Sequence, residues 1–131
     1  MNKIQMGFYA ARLLSELTHH IGRHNTIGMG ELYELVFKEP WANRINDTRR
    51  LRTVITELRR QGVAICSDCA SSGGGYYLAS AGSSEMRQYL ERLRRRALKA
   101  LVLEARMRKI GLPELLGQIQ IEFKGGYNEA A

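Results

Sequence analysis

The chain has little of what secreted, membrane-spanning or disordered proteins require. It holds two cysteines, two prolines and one tryptophan in 131 residues. Two cysteines are too few for a disulfide framework, so Cys66 and Cys69 are expected as reduced thiols. No apolar run approaches the roughly 18 to 20 residues that cross a bilayer. The opening residues, from Met1 to Gln5, also lack the apolar stretch and cleavage signature of a secretory leader. A cytoplasmic protein without a membrane partner is therefore expected. Chemistry-bearing patterns are missing too. No nucleophile stands beside a base, no carboxylates pair in a plausible cleft, and the glycines at 73 to 75 lead towards a strand rather than opening a helix, the wrong setting for a phosphate loop. Neither an enzyme nor a cofactor is expected, and no small-molecule effector can be inferred.

What is present is an apolar content of 44%, far from the signature of disorder, in a length suited to one domain. The net charge is +7 and unevenly placed. Residues 44–61 carry six arginines against Asp47 and Glu57, and residues 85–109 carry nine Arg or Lys against Glu85, Glu91 and Glu104. These two segments contribute +4 and +6, so the remainder sums to −3. Positive charge concentrated in this way points to a polyanionic partner, although charge runs on helices also serve simply as solvated faces.

Hydrophobic spacing predicts a first helix over residues 5–21 through Ala10, Leu13, Leu14, Leu17 and Ile21, stopped at Gly22. A short extended piece over 26–28 precedes a second helix over 31–38, closed by Pro40. A third helix over 47–61, capped by Asn46 or Asp47, carries one apolar stripe of Leu51, Val54, Ile55 and Leu58. Beyond Gly62, Val63 and Ile65, then Tyr77 and its neighbours, read as two strands of a hairpin. A long helix follows from a Ser83 or Ser84 cap to Gly111, and a tail over 112–131 ends with a candidate edge strand at Ile119, Ile121 and Phe123.

Helix, short strand, helix, helix, hairpin is the order of a winged helix-turn-helix. Within residues 26–79, Leu58 and Arg59, Gly62, the strand residues 63–65 and the Gly-Tyr-Tyr-Leu of Gly75–Leu78 resemble the DNA-binding module of biotin-repressor-type regulators. The chain departs from that family in a longer connector over 39–45 and in showing no ligase-sized domain, so biotin chemistry is not expected. Its basic tone and size also resemble regulators carried by bacteriophages. The expected class is therefore mainly α with a small β-hairpin (α+β): a winged helix-turn-helix over 1–82, a long helix over 83–111 and the tail.

On the third helix, the inward apolar stripe leaves Arg49, Thr53, Thr56 and Arg60 opposite, with Arg52 on the flank. Such a face suits the major groove of double-stranded DNA, where arginine can bond guanine bidentately and threonine can touch a base edge or methyl. Arg49, Arg52 and Thr53 are expected at bases. Arg44, Arg50, Arg59 and Arg60 are expected at phosphates, with Thr48 and Thr56 completing the set. The wing tip, residues 71–74, has no basic residue and offers backbone approach at most. Cys66 and Cys69 have the spacing of half a zinc site that His19, His20 or His24 would have to complete, and without a second paired ligand motif no metal is expected. Residues 97–103 are apolar on nearly every side, which suggests a homodimer through Leu98, Leu101, Val102 and Ala105, or packing back on the first helix. Two rival functions remain: a winged-helix adaptor that binds protein without nucleic acid, and a thiol or metal sensor built on the cysteines.

Overall fold

Helix α1 (Lys3–Leu17) starts where Asn2 and Gln5 cap each other: the Asn2 side chain accepts from Gln5 N at 2.8 Å, and the Gln5 side chain accepts from Asn2 N at 3.0 Å. It buries Ala10, Leu13 and Leu17 and stops a turn earlier than the apolar spacing predicts. The cause is the sheet. Leu78 N donates to His20 O at 2.8 Å and Gly22 N donates to Leu78 O at 2.9 Å, drawing this segment alongside a strand, with Gly22 at φ +89°. Ile21, expected in the core, is 46% exposed. The computed structural model describes residues 1–69 and 74–127 of the chain.

Strand β1 (Ile27–Gly28) leads directly into α2 (Met29–Phe37), which buries Leu32, Tyr33, Val36 and Phe37 and ends at Lys38 in the left-handed region. Helix α3 spans Arg44–Arg60, three residues longer at its start than expected. Its cap is Asn43, whose side chain accepts from Asn46 N at 3.1 Å. Asp47, a candidate cap, instead lies in the first turn and reaches back to the backbone N–H groups of Ala42 and Asn43 at 3.1 and 2.9 Å. That folds the connector onto the helix start, which is why helical geometry begins sooner. The Trp41 ring lies against Gly30, where a Cβ would overlap it.

Strands β2 (Ile65–Asp68) and β3 (Gly75–Leu78) form an antiparallel pair, with β1 on the other side of β3, giving the sheet order β1-β3-β2. Ile27 faces Tyr76 and Gly28 faces Gly75, while Cys66 faces Tyr77. Leu13 and Leu17, the buried residues of α2, the α3 stripe Leu51, Val54, Ile55 and Leu58, and Ile27, Ile65 and Tyr76 make one core. Of the two hairpin cysteines, Cys66 is fully buried and Cys69 is exposed. Of the expected tip, Ser71, Ser72 and Gly73 lie outside the described residues.

The chain divides into two units, Met1–Tyr89 and Leu90–Ala131, and α4 (Ser84–Arg108) contributes to both. Of its two candidate caps Ser83 is the one used: its hydroxyl accepts from Met86 N at 3.1 Å. In the second unit the tail forms no strand. Leu112, Leu115, Leu116 and Ile119 recur at spacings of three and four, and with Pro113 in its first turn this segment becomes α5 (Leu112–Glu122), followed by a π-helical stretch, Phe123–Tyr127. The alternation of Ile119, Ile121 and Phe123 pairs with no strand among the described residues. The expected dimer face is also partly covered within one chain. Ala105 is 3% exposed and Leu101 and Val102 are half-buried, leaving Leu98 as its exposed member. Among the described residues no helix is long and apolar enough to cross a membrane.

Candidate nucleic-acid interface

With Leu51, Val54, Ile55 and Leu58 committed to the core, helical periodicity turns the intervening residues of α3 outward. Arg44, Arg49, Arg52, Thr53, Thr56 and Arg60 are exposed and Thr48 is half-buried. These seven residues line an open groove of about 610 Å³ together with Ile45, Glu57 and Met6 of α1. A second groove of about 460 Å³ separates α3 from the hairpin, bounded by Arg52, Ile55, Thr56 and Arg59 on one side and by Ser67, Asp68, Cys69, Gly74, Gly75 and Tyr76 on the other, with Met29. Arg52 and Thr56 border both, which makes them the crest of the helix.

The arginines on this helix have different surroundings. Arg49 and Arg52 carry no side-chain bond or ion pair among the described residues. Arg60 meets Glu57 at 3.2 Å, but at 73% side-chain exposure this pair is weak enough for a phosphate to displace. Arg44 occupies the first helical position with its guanidinium 5.8 Å from the Trp41 ring. The Thr53 hydroxyl donates to Arg49 O at 2.9 Å, so in this state its oxygen and methyl are what it offers outward.

Two expected phosphate contacts are occupied elsewhere. Arg50 reaches Glu39 at 3.1 Å, Tyr33 Oη at 3.4 Å and Tyr9 Oη at 3.3 Å, and its guanidinium lies 4.1 Å from the Phe37 ring centroid. Burial opposes that charge, yet the hydrogen bond to Tyr33 and the nearby Glu39 leave the guanidinium pKa above its ordinary value. Tyr33 donates to Asp47 at 3.1 Å, and burial raises its phenol pKa. Arg50 is thus a clamp joining α1, α2, the connector and α3. Arg59 donates to Ile65 O at 2.9 Å and to Ser67 Oγ at 3.3 Å, tying the helix end to β2. Counting arginines along a helix could not separate these tethers from outward-facing ones, because the partners come from distant segments. Met6 and Ile45 were missed for the opposite reason: apolar residues carry no signal for an exposed groove.

No protein-family model, curated protein or solved structure matches the chain. His20 Nδ1 lies 2.9 Å from Asn25 O and His24 packs over Gly22, and among the described residues no three His, Cys, Asp or Glu side chains gather as a metal site. The buried Cys66 and exposed Cys69 therefore do not converge with the three histidines on a common centre.

Proposed function

We propose that residues 1–82 form a winged helix-turn-helix that binds double-stranded DNA, with α3 as the recognition helix. The role would be that of a sequence-specific transcriptional regulator, or of a protein controlling phage or plasmid DNA. The order α1, β1, α2, α3, β2, β3 and the sheet order β1-β3-β2 support the fold assignment. The observation that carries the function is the outward face of α3: Arg49 and Arg52 project without protein partners among the described residues, on a helix whose opposite stripe is fully buried. A helix so presented fits a major groove, and guanidinium groups at its crest match the O6 and N7 acceptors of guanine.

Selection of bound sequences from a random duplex library is the direct test. A shared motif of a few base pairs is expected. If no duplex is enriched and none binds at low salt, the adaptor reading replaces this one. One feature favours that rival: Ile45, 72% exposed, lies with Met6 in the same groove and would serve as an apolar anchor for a protein. The surrounding arginines and threonines outnumber these two residues, which favours DNA.

The reading includes a homodimer, since paired half-sites suit two-fold proteins. With Ala105 already covered, Leu98 is the residue of the expected face best placed to meet a second copy. The parent is expected to sediment at about twice the 14.9 kDa chain mass, and Leu98→Glu as a monomer, because the new charge would be buried unpaired in a dimer. A parent that is monomeric at tens of micromolar would remove the dimer.

A further inference from the structure

Helix α4 carries a second concentration of charge that α3 does not account for. At about 100° per residue, Arg92, Arg95, Arg96, Lys99 and Arg106 fall within roughly a 100° arc of the helix, and all five are exposed. From Arg92 to Arg106 the stripe runs about 21 Å at 1.5 Å per residue. None of the five has a carboxylate within ion-pair distance among the described residues. The acids of the same helix are placed elsewhere: Glu85 accepts from Arg23 N at 2.8 Å, Glu104 pairs with Arg108 at 2.7 Å, and Glu91 lies outside the arc. A row of five exposed cations without an ion-pair partner among the described residues is complementary to a regular row of anions.

We propose that this stripe is a second DNA-binding surface, sequence-independent, that lies along the phosphate backbone of the duplex. The inference rests on the DNA-binding reading and extends it to a different helix, which supplies general affinity rather than base choice. Four of the five cations are arginines, whose forked donors match phosphate oxygens. An anionic membrane is the competing polyanion, but it would also require a strong apolar face. The exposed apolar residues of the same helix, Leu90, Leu93, Leu98, Leu103 and Met107, are spread around more than half of its circumference, with Leu103 inside the basic arc itself, rather than gathered on one face opposite it.

The test replaces all five with glutamine (Arg92→Gln, Arg95→Gln, Arg96→Gln, Lys99→Gln, Arg106→Gln), a residue of good helix propensity, in the full chain. Circular dichroism confirms that the helix is retained. Binding of parent and variant to a selected duplex and to a random-sequence duplex is then measured from 50 to 300 mM NaCl. Since each neutralised phosphate contributes about 0.9 to the log-log salt slope, the variant's slope should be shallower by about 4.5 on both duplexes if each of the five cations meets one phosphate. Its preference between the two should be unchanged. A slope within one of the parent's on both duplexes overturns the proposal while leaving α3 recognition intact. Sequence-blind binding by the parent that the variant loses overturns α3 recognition and supports the stripe. No duplex binding by the parent at 50 mM overturns both. Binding of the parent, but not the variant, to phosphatidylserine vesicles with unchanged duplex slopes assigns the stripe to a membrane instead.

Discussion

Arg52→Ala and Arg49→Ala are each expected to weaken binding to the selected duplex by about 1 to 3 kcal/mol and to relax base preference. Arg52 should show the clearer effect, because it stands at the crest that borders both grooves. Arg60→Ala is the control. Its exposed guanidinium pairs with Glu57, and if it meets a phosphate in the complex the loss should be the same for every sequence, with a salt slope shallower by about 1. Arg59 is unsuitable for that comparison, since its bonds to Ile65 O and Ser67 Oγ mean that alanine there would loosen the hairpin as well. Fluorescence anisotropy on selected and scrambled duplexes across a salt series reads both quantities. Equal, sequence-blind losses for Arg49, Arg52 and Arg60 would remove base recognition from α3.

The second large effect is on stability. Gly75 faces Gly28 across the sheet, and a Cβ at Gly75 would overlap the backbone carbonyl of Ile27, with Thr26 Cγ2 at 2.8 Å. Backbone on one side and a β-branched residue on the other leave little room to yield. Gly75→Ala should therefore cost about 3 kcal/mol, the upper part of the usual range for overpacking. For a unit of this size that corresponds to a fall in Tm of about 10 to 20 °C by circular dichroism. Gly62→Ala separates two kinds of glycine: no atom lies within 4 Å of a Cβ there, but φ is +95°, so its smaller cost would come from backbone conformation alone. A Gly75→Ala protein that melts within about 2 °C of the parent would mean that β1 can move away from β3 at little cost.

Much of the first unit could be read from local pattern. The apolar spacing of Leu51, Val54, Ile55 and Leu58 selects both the helix and its buried side, and the outward arginines and threonines follow from helical geometry alone. The hairpin was equally legible, since Gly75–Leu78 is a short β-prone run bounded by glycine. Two local readings failed where competing patterns coexisted. Ile119, Ile121 and Phe123 alternate like a strand, but the helical set of Leu112, Leu115, Leu116 and Ile119 prevails. At the start of α3, Asn43, Asn46 and Asp47 all have capping chemistry, and the choice of Asn43 goes with Asp47 folding back on the connector.

By itself, the sequence determined the mainly helical class, the placement of positive charge on α3 and α4, and which face of α3 is apolar, because these depend on residue type and spacing along one element. Tertiary structure decided which of those charges face outward. Arg50 is drawn into the clamp of Tyr9, Tyr33, Phe37 and Glu39, and Arg59 is tied to β2, through partners up to 41 residues away in the chain. It likewise decided the end of α1, where bonds between Leu78 and the backbone of His20 and Gly22 replace another helical turn, and the burial of Cys66 opposite Tyr77. Helical and strand periodicities report which way a side chain points from its own backbone, whereas these outcomes depend on which distant group lies there to meet it.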